Sequence, residues 1–440
     1  MNDRSPTDDS DGSNCALSGC EEPEWTRREF LSRTIRRSGA ASAGLVLGAG
    51  GQPLHVASGP PARSPTIRKR VQLGRTGIEV PDISFGTFSL TTDEELVHLA
   101  LDRGITHFDT AEGYTAGRAE SALGRALRGR RHDVTLTSKY RAMPEHTVQH
   151  QMDVLERSLR RLGTDYIDIY LNHAVNDIAR LQSEQWQAFI ERAKREGKIR
   201  AAGISGHSGR LVECLDHALD QKLVDIVLVA YNFAQQPSFR EKLTQHLKDF
   251  AASLDIVTTH PKLPETLTRA HAEGVGVMVM KTLKGARKND MRFFEAQGRT
   301  FAQSALRFVL SDPAVDGLVI SMKSPEMIDE YVEASGSGAP DLEDLALLAR
   351  YESLVAGSYC QIGCDLCAEA CPASVPIADT MRIRMYDRDY AIPEVAVREY
   401  ASLTVDATAC SACDGAPCAR ACPNGLAIAS LNRDTHLRLT

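Results

Sequence analysis

Four side chains suited to moving a proton follow three short apolar runs in the central part of the chain. Asp109 ends the first run and Tyr114 lies five residues later, Lys139 follows the second run, and His173 follows the third. A tyrosine, whose pKa is near 10 in water, works best as a general acid when that pKa is tuned toward the working pH. A phenol, an ammonium, a carboxylate and an imidazole that converge on one site would therefore support acid–base chemistry.

A second chemical signal lies near the C-terminus, where eight of the 11 cysteines fall between Cys360 and Cys422. Each half of this group is a near variant of the bacterial ferredoxin run C-x2-C-x2-C-x3-C-P, and four thiolates match the demand of one [4Fe–4S] cluster. Zinc also accepts four cysteines, but the proline after each run favours iron–sulfur ligation. The two runs are Cys360-x3-Cys364-x2-Cys367-x3-Cys371-Pro372 and Cys410-x2-Cys413-x4-Cys418-x3-Cys422-Pro423.

These runs predict two [4Fe–4S] clusters. In two-cluster ferredoxins the fourth cysteine of each run ligates the other cluster, so we expect Cys371 to serve the second cluster and Cys422 the first. A lone cysteine, Cys214, lies in a helical pattern and is interpreted as a small buried apolar residue rather than a nucleophile.

The elements that must position the four proton-moving residues alternate between strands and helices. Eight apolar runs separated by helical patterns in residues 66–335 predict a parallel sheet closed into a (β/α)8 barrel. A hairpin before the first run, around Gly74 and Gly77, is suited to closing the bottom of the barrel. The predicted strands are Ile83–Phe85, Thr106–Asp109, Val134–Ser138, Tyr166–Asn172, Ile199–Ser205, Ile226–Ala230, Val275–Met280 and Gly317–Ser321.

In such a barrel the catalytic groups lie at the carboxyl ends of the strands, where the four residues are found. Asp-Thr-Ala-x-x-Tyr after the second strand, lysine after the third and histidine after the fourth resemble the catalytic tetrad of the aldo/keto reductase family. The resemblance implies that Tyr114 protonates a carbonyl oxygen during hydride transfer and that Lys139, paired with Asp109, lowers the pKa of this tyrosine. His173 would orient the carbonyl.

The same resemblance implies that a nicotinamide nucleotide, NAD(P)(H), binds without a glycine-rich loop. Gly206 stands where many members have asparagine, Leu228 where the nicotinamide amide usually meets glutamine, and Met327 where some NADPH-specific members carry arginine. The choice between NAD and NADP therefore stays open. The residues at matching cofactor-binding positions are Ser205, Lys281, Ser321, Lys323 and Glu330.

Residues 1–65 are interpreted as an acidic disordered tail, a signal and a proline-rich linker. Thr26-Arg27-Arg28-Glu29-Phe30-Leu31 precedes a mild apolar stretch and resembles a twin-arginine translocation signal. The stretch, 39–51, is too short for a membrane span, which needs about 20 residues. We expect export from the cytoplasm; the alternative is a chance arginine pair in a cytoplasmic protein. Residues 336–440 are predicted to form a small ferredoxin-like, cysteine-rich module.

Composition restricts the class of partner. A net charge of −7 and a pI near 6.0 argue against nucleic acid, which needs a basic face. Together the patterns predict an oxidoreductase that reduces a small carbonyl compound with NAD(P)H, or oxidises the alcohol, and that carries iron–sulfur clusters. The alternative is an exported electron-transfer or partner-binding protein, with a redox protein as partner and the barrel as a scaffold.

Overall fold

The computed structural model describes residues 64–235, 239, 262–284, 291–296, 299–355 and 358–440. All of the structure described below belongs to one compact unit of the chain, which begins at residue 63. The predicted twin-arginine signal, the acidic tail and nearly all of the linker lie outside the described residues. Within the described part of the chain, no helix has both the length and the apolar character needed to cross a bilayer.

Eight parallel strands close into a barrel, which confirms the predicted fold class. These strands pair in chain order, and the last closes the ring by pairing with the first. Runs such as Ile226–Ala230, with the sequence Ile-Val-Leu-Val-Ala, are apolar throughout because each strand is buried on both faces. The strands are β3 (Ile83–Gly86), β4 (His107–Asp109), β5 (Thr135–Tyr140), β6 (Ile167–Asn172), β7 (Ile199–Gly206), β8 (Ile226–Ala230), β9 (Gly276–Met280) and β10 (Gly317–Ser321).

Amphipathic helices surround this barrel. The helix Val148–Leu162 buries one face, which includes Met152 and Leu155. It begins after Thr147, whose hydroxyl accepts a hydrogen bond from His150 N–H, and it is capped at its C-terminus by Gly163, with φ +65°. The barrel helices are α1 (Glu94–Asp102), α2 (Arg118–Ala126), α3 (Val148–Leu162), α4 (Ile178–Leu181), α5 (Glu184–Arg195), α6 (Leu211–Asp220), α7 (Lys262–Ala272), α8 (Phe301–Leu310) and α9 (Pro325–Val332).

The predicted hairpin closes the amino-terminal end of the barrel. β1 (Arg70–Gln72) and β2 (Glu79–Pro81) pair antiparallel, and Leu73 and Ile78 pack against side chains inside the barrel, including Leu228. Gly74, with φ +48°, turns the chain where a Cβ would overlap the Gly274 carbonyl.

The C-terminal segment, residues 341–440 apart from 356–357, is helical and packs against the barrel. Tyr351 stacks on Phe301 of α8 with ring centroids 3.9 Å apart, and Ile362 joins the core that the barrel helices form. The side-chain amide of Gln235 donates to the Ile362 carbonyl at 3.2 Å. The helices of the segment are α10 (Leu342–Val355), α11 (Ile377–Arg388), α12 (Pro393–Ala401), α13 (Pro417–Ala421) and α14 (Ile428–Leu439).

Candidate active site

The four proton-moving residues meet at the carboxyl end of the barrel. The Lys139 ammonium donates to Asp109 Oδ1 at 2.7 Å, to the Thr110 carbonyl at 2.6 Å and to the Tyr114 hydroxyl at 3.4 Å. The His173 ring lies edge-on to Tyr114, with centroids 5.6 Å apart. β4, β5 and β6 therefore bring together side chains that are up to 64 positions apart, from Asp109 to His173.

Burial dominates the electrostatics of this group. It raises the pKa of Asp109 and lowers the pKa of Lys139, although the attraction between the two charges opposes both shifts. It also lowers the pKa of His173 well below its usual value, and the nearby cations Lys139 and Arg180 add to that shift. At neutral pH the imidazole of His173 is therefore uncharged.

The expectation that Lys139 gives Tyr114 a lowered pKa is wrong in its net direction. Burial and the negative charges of Asp109 and Glu399 raise the pKa of Tyr114 well above its usual value. The desolvation cost of a phenolate thus outweighs the nearby ammonium. Tyr114 is consequently a protonated phenol throughout the neutral range, which is the form that a proton donor requires.

A cavity of about 840 Å³ opens above these residues. Binding sites for small molecules usually measure about 300–1,000 Å³, so this cavity could hold a substrate together with part of a larger cofactor. Its walls come from two parts of the chain. The barrel contributes the four proton-moving residues and Phe88, and the C-terminal segment contributes a second set: Tyr386, Asp389, Tyr390, Ile392, Val395, Arg398, Glu399 and Ser402.

The structure brings four of the five predicted cofactor residues to the cavity wall. Ser205, Lys281, Ser321 and Lys323 line it. Ser205 is buried, and its hydroxyl accepts a hydrogen bond from Ala174 N–H at 3.1 Å. Glu330, on α9, is not among the lining residues in the described part of the chain; its backbone carbonyl accepts from the Gln303 side chain at 3.1 Å.

The departures from the family pattern have structural explanations. A Cβ at Gly206 would lie 2.6 Å from Leu211 Cδ1 and 3.2 Å from the Val175 carbonyl, so Leu211 occupies the space that a larger side chain would need. Leu228 packs inside the barrel against the apolar layer that includes the hairpin. Met327 lines the cavity.

The eight C-terminal cysteines form no disulfide, and their electrostatic interactions fall largely into two groups. Burial raises the pKa of Cys360 to about 12, and the thiols of Cys364, Cys367 and Cys422 add to the shift. Burial likewise raises the pKa of Cys410, and Cys371, Cys418 and Cys413 add to it. These electrostatic interactions link Cys422 to the first run and Cys371 to the second, and Cys367 of the first run also interacts with Cys418 of the second. In the described part of the chain, no group of three or more His, Cys, Asp or Glu side chains is arranged to hold a metal ion.

Several cavity residues were not predicted from the sequence. Tyr386, Tyr390 and Glu399 belong to the module that was assigned to iron–sulfur binding, and His207 follows β7 without any motif of its own. No motif in the sequence marks Tyr386 or Tyr390 as a cavity residue: Tyr386 lies on α11, and Tyr390 lies just beyond the end of that helix at Arg388.

Comparison with known proteins agrees with the barrel fold. A model of the aldo/keto reductase family matches residues 82–343. The L-glyceraldehyde 3-phosphate reductase of Escherichia coli O157:H7 is 25% identical over 316 residues, which cover 63% of this chain and 90% of that protein. Because the family model matches more than half of the chain, the protein belongs to the aldo/keto reductase family and is an oxidoreductase.

Solved structures include similar barrels. The holo form of an aldo-keto reductase from Bacillus halodurans gives a TM-score of 0.50 at 23% identity and covers 64% of this chain and 95% of its own, so the two share a fold. An aldo-keto reductase from Klebsiella pneumoniae, solved in complex with NADPH, is 27% identical, with a TM-score of 0.49 and coverage of 65% and 95%.

Proposed function

We propose that the barrel catalyses NAD(P)-dependent reduction of a small carbonyl compound to an alcohol, or the reverse reaction. The observation that carries this proposal is the Lys139 ammonium, which is held between Asp109 and the Tyr114 hydroxyl in the floor of the cavity. The nicotinamide, when bound, supplies the hydride. Tyr114 supplies the proton to the carbonyl oxygen, and His173, being uncharged, donates a hydrogen bond to that oxygen.

Lys139 also compensates the negative charge that forms on Tyr114 when this residue gives up its proton. A phenolate at Tyr114 would lie 3.4 Å from the ammonium, which would stabilise it until solvent or the reverse reaction restores the proton. Asp109 keeps the ammonium in place at 2.7 Å. The three groups therefore act as a unit, and removing any one of them should reduce turnover.

Polar groups on the wall of the cavity fit a nucleotide. Lys281 has no carboxylate partner among the described residues, and burial together with the nearby Arg382 guanidinium lowers the pKa of Lys281 to about 7. The hydroxyl of Thr282, next to it, is buried without a hydrogen-bond partner in the described part of the chain. A cation without a carboxylate partner and a hydroxyl without a hydrogen-bond partner, both at the cavity wall, are suited to phosphate oxygens. Ser321 and Lys323 would extend this contact surface.

The test combines isotope transfer with a matched pair of variants. Nucleotide deuterated at the transferring carbon should pass deuterium to the carbinol carbon of the product, in a panel of aldehydes and ketones with NADPH and with NADH. Tyr114→Phe should reduce the rate about 10²-fold or more. Tyr166→Phe is the control, since Tyr166 packs under Arg131 outside the cavity. Wild-type activity in Tyr114→Phe would exclude this tyrosine as the proton donor.

We further propose that the eight cysteines bind two [4Fe–4S] clusters, with Cys422 serving the first and Cys371 the second. The two groups of interacting thiols support this exchange of fourth ligands. Both runs also lead into a helix, since α11 begins six residues after Cys371 and α14 six residues after Cys422. Six of the eight cysteines, all except Cys364 and Cys413, share an apolar cluster with residues before those helices, including Val375 and Leu426.

Chemical analysis of anaerobically purified protein tests the clusters. We expect about eight iron and eight sulfide per chain, as two [4Fe–4S] clusters require. Cys422→Ser should deplete the first cluster and leave the second, whereas Cys214→Ser, in the core of α6, should change neither. Stoichiometric zinc without sulfide would refute the proposal. A redox protein that exchanges electrons with the clusters is part of the same proposal.

We also propose that the protein is exported in folded form through the twin-arginine route. The support is chemical: thiolates that assemble clusters persist in the reducing cytoplasm, and a chain exported unfolded would risk disulfides among them. A nucleotide used outside the cytoplasm would then have to leave bound to the protein. Retention of the nucleotide consequently matters to function.

A further inference from the structure

The wall of the catalytic cavity includes a tyrosine from outside the family region. The family match ends at residue 343, whereas Tyr386 lies on α11 of the C-terminal segment and lines the same cavity as Tyr114. Its ring stacks on Phe88 at 5.9 Å, and Phe88 in turn meets the Tyr114 ring edge-on at 5.0 Å. Part of the site is therefore built by a segment that the matched family region does not contain.

Tyr386 contacts two polar groups of the barrel. The Lys281 ammonium donates to its hydroxyl at 3.4 Å, and that hydroxyl lies 3.5 Å from His207 Nε2. The same ammonium lies 4.8 Å from the centre of the Tyr386 ring and 5.4 Å from that of Tyr390. A cation this close to two aromatic rings is attracted by both, and the attraction is stronger when water is excluded.

α11 is itself held firmly on the barrel. Arg382, one turn before Tyr386, is buried and donates to the His207 carbonyl at 3.1 Å. On the other side of the cavity, the Glu399 carboxylate of α12 pairs with Arg141 at 3.3 Å. These contacts on two sides of the cavity keep Tyr386 in a defined place.

We propose that Tyr386 is a positioning residue, which holds the side chain of Lys281 in the orientation that binds the nucleotide. The inference rests on the proposed nucleotide-binding role of Lys281. A lysine has a long flexible stem, and ordering such a side chain on binding weakens affinity. Tyr386 orders it in advance through its ring and its hydroxyl, so that the C-terminal segment contributes to nucleotide retention without touching the reacting atoms.

Equilibrium titration of the full-length, cluster-loaded protein with NADPH and with NADH tests the proposal. Tyr386→Phe retains the ring and loses the hydroxyl, and should raise Kd about three- to tenfold. Tyr386→Leu loses both, and should raise Kd by about 10- to 100-fold. Tyr166→Phe is the control, because Tyr166 packs under Arg131 and does not line the cavity. It should bind as the wild type does.

A second readout separates positioning from general damage to the fold. Without the ring and hydroxyl, the Lys281 ammonium is less stabilised, so the pH above which nucleotide affinity declines should move down in Tyr386→Leu. Unchanged Kd and an unchanged pH midpoint in both Tyr386 variants would overturn the proposal, as would tighter binding, which would mean that Tyr386 competes with the nucleotide for Lys281. If Tyr386→Leu loses iron or does not fold, the Kd of Tyr386→Phe alone decides whether the proposal holds.

The outcome distinguishes this inference from the function on which it rests. If the wild type binds neither nucleotide, the proposed function fails and the inference fails with it. If the wild type binds and Lys281→Met weakens binding, but the Tyr386 variants do not, only the inference fails.

Discussion

The protonation state of Lys281 should control nucleotide affinity. In the free protein the pKa of Lys281 is lowered to about 7 by burial and by Arg382. The phosphates of a bound nucleotide would favour the ammonium and return the pKa toward its ordinary value near 10.4. Binding above about pH 7 therefore takes up a proton, and affinity declines as the pH rises.

The size of the effect follows from these two pKa values. Between them, affinity falls tenfold for each pH unit, which corresponds to about 1.4 kcal/mol. With the free value at about 7, Kd should rise roughly fiftyfold between about pH 7 and about pH 9. His207 and His173 also face this lysine and have strongly lowered pKa values, and Tyr386 has a raised one, so none of these three groups titrates in that range.

NADH is the better ligand for the assay, because it lacks the 2′-phosphate, a group whose second pKa lies near 6. Fluorescence titration gives Kd across the pH range, and calorimetry in two buffers of different ionisation enthalpy counts the protons taken up. Lys281→Arg keeps its charge at every pH in the range, so its Kd should be independent of pH. Lys281→Met should bind weakly with no pH dependence.

A wild-type Kd that stays constant over this range would refute the reasoning. So would a slope that is retained in Lys281→Met, because the titrating group would then lie elsewhere in the cavity or on the ligand.

Three further predictions concern stability and location. Burial lowers the pKa of His107 to about 4, so the free energy of unfolding should fall by about 3 kcal/mol as the pH drops from its unfolded pKa of about 6.5 to about 4. Denaturant titrations of His107→Gln should show a smaller loss of stability over this acid limb of the pH profile. Gly203→Ala should destabilise the barrel by about 3 kcal/mol or more, seen as a lowered Tm, because a Cβ would overlap the Ile226 carbonyl of the next strand. Arg27→Lys with Arg28→Lys should abolish the exported form and leave cluster-loaded protein inside the cell, as cell fractionation would show.

Each of these three predictions has a control variant or an outcome that would contradict it. Exposed His132→Gln should leave the acid limb unchanged, and an equal flattening there would discount the role of His107. Gly338→Ala, where a Cβ meets no atom within 4 Å, should retain the wild-type Tm. Wild-type protein found only in the cytoplasm with residues 1–58 attached would mean that the signal is not used.

The local pattern of the sequence was sufficient to predict the barrel. The runs Ile226–Ala230 and Gly317–Ser321 became β8 and β10 with the predicted bounds, because a strand buried on both faces needs a continuous apolar run. The rule that functional groups lie at the carboxyl ends of barrel strands placed Asp109 beside Lys139, and their side chains are 2.7 Å apart.

By itself, then, the sequence determined the elements, their order and the residues at the strand ends, since these depend on periodicity and on short-range spacing. Only the tertiary structure decided what surrounds those residues. Tyr386 reaches Lys281 across 105 positions, and no local pattern encodes that contact. The net pKa direction of Tyr114 was likewise decided by burial, because desolvation depends on all the elements packed around a side chain. The same holds for Gly206, whose missing side chain is explained by Leu211 in the helix that follows.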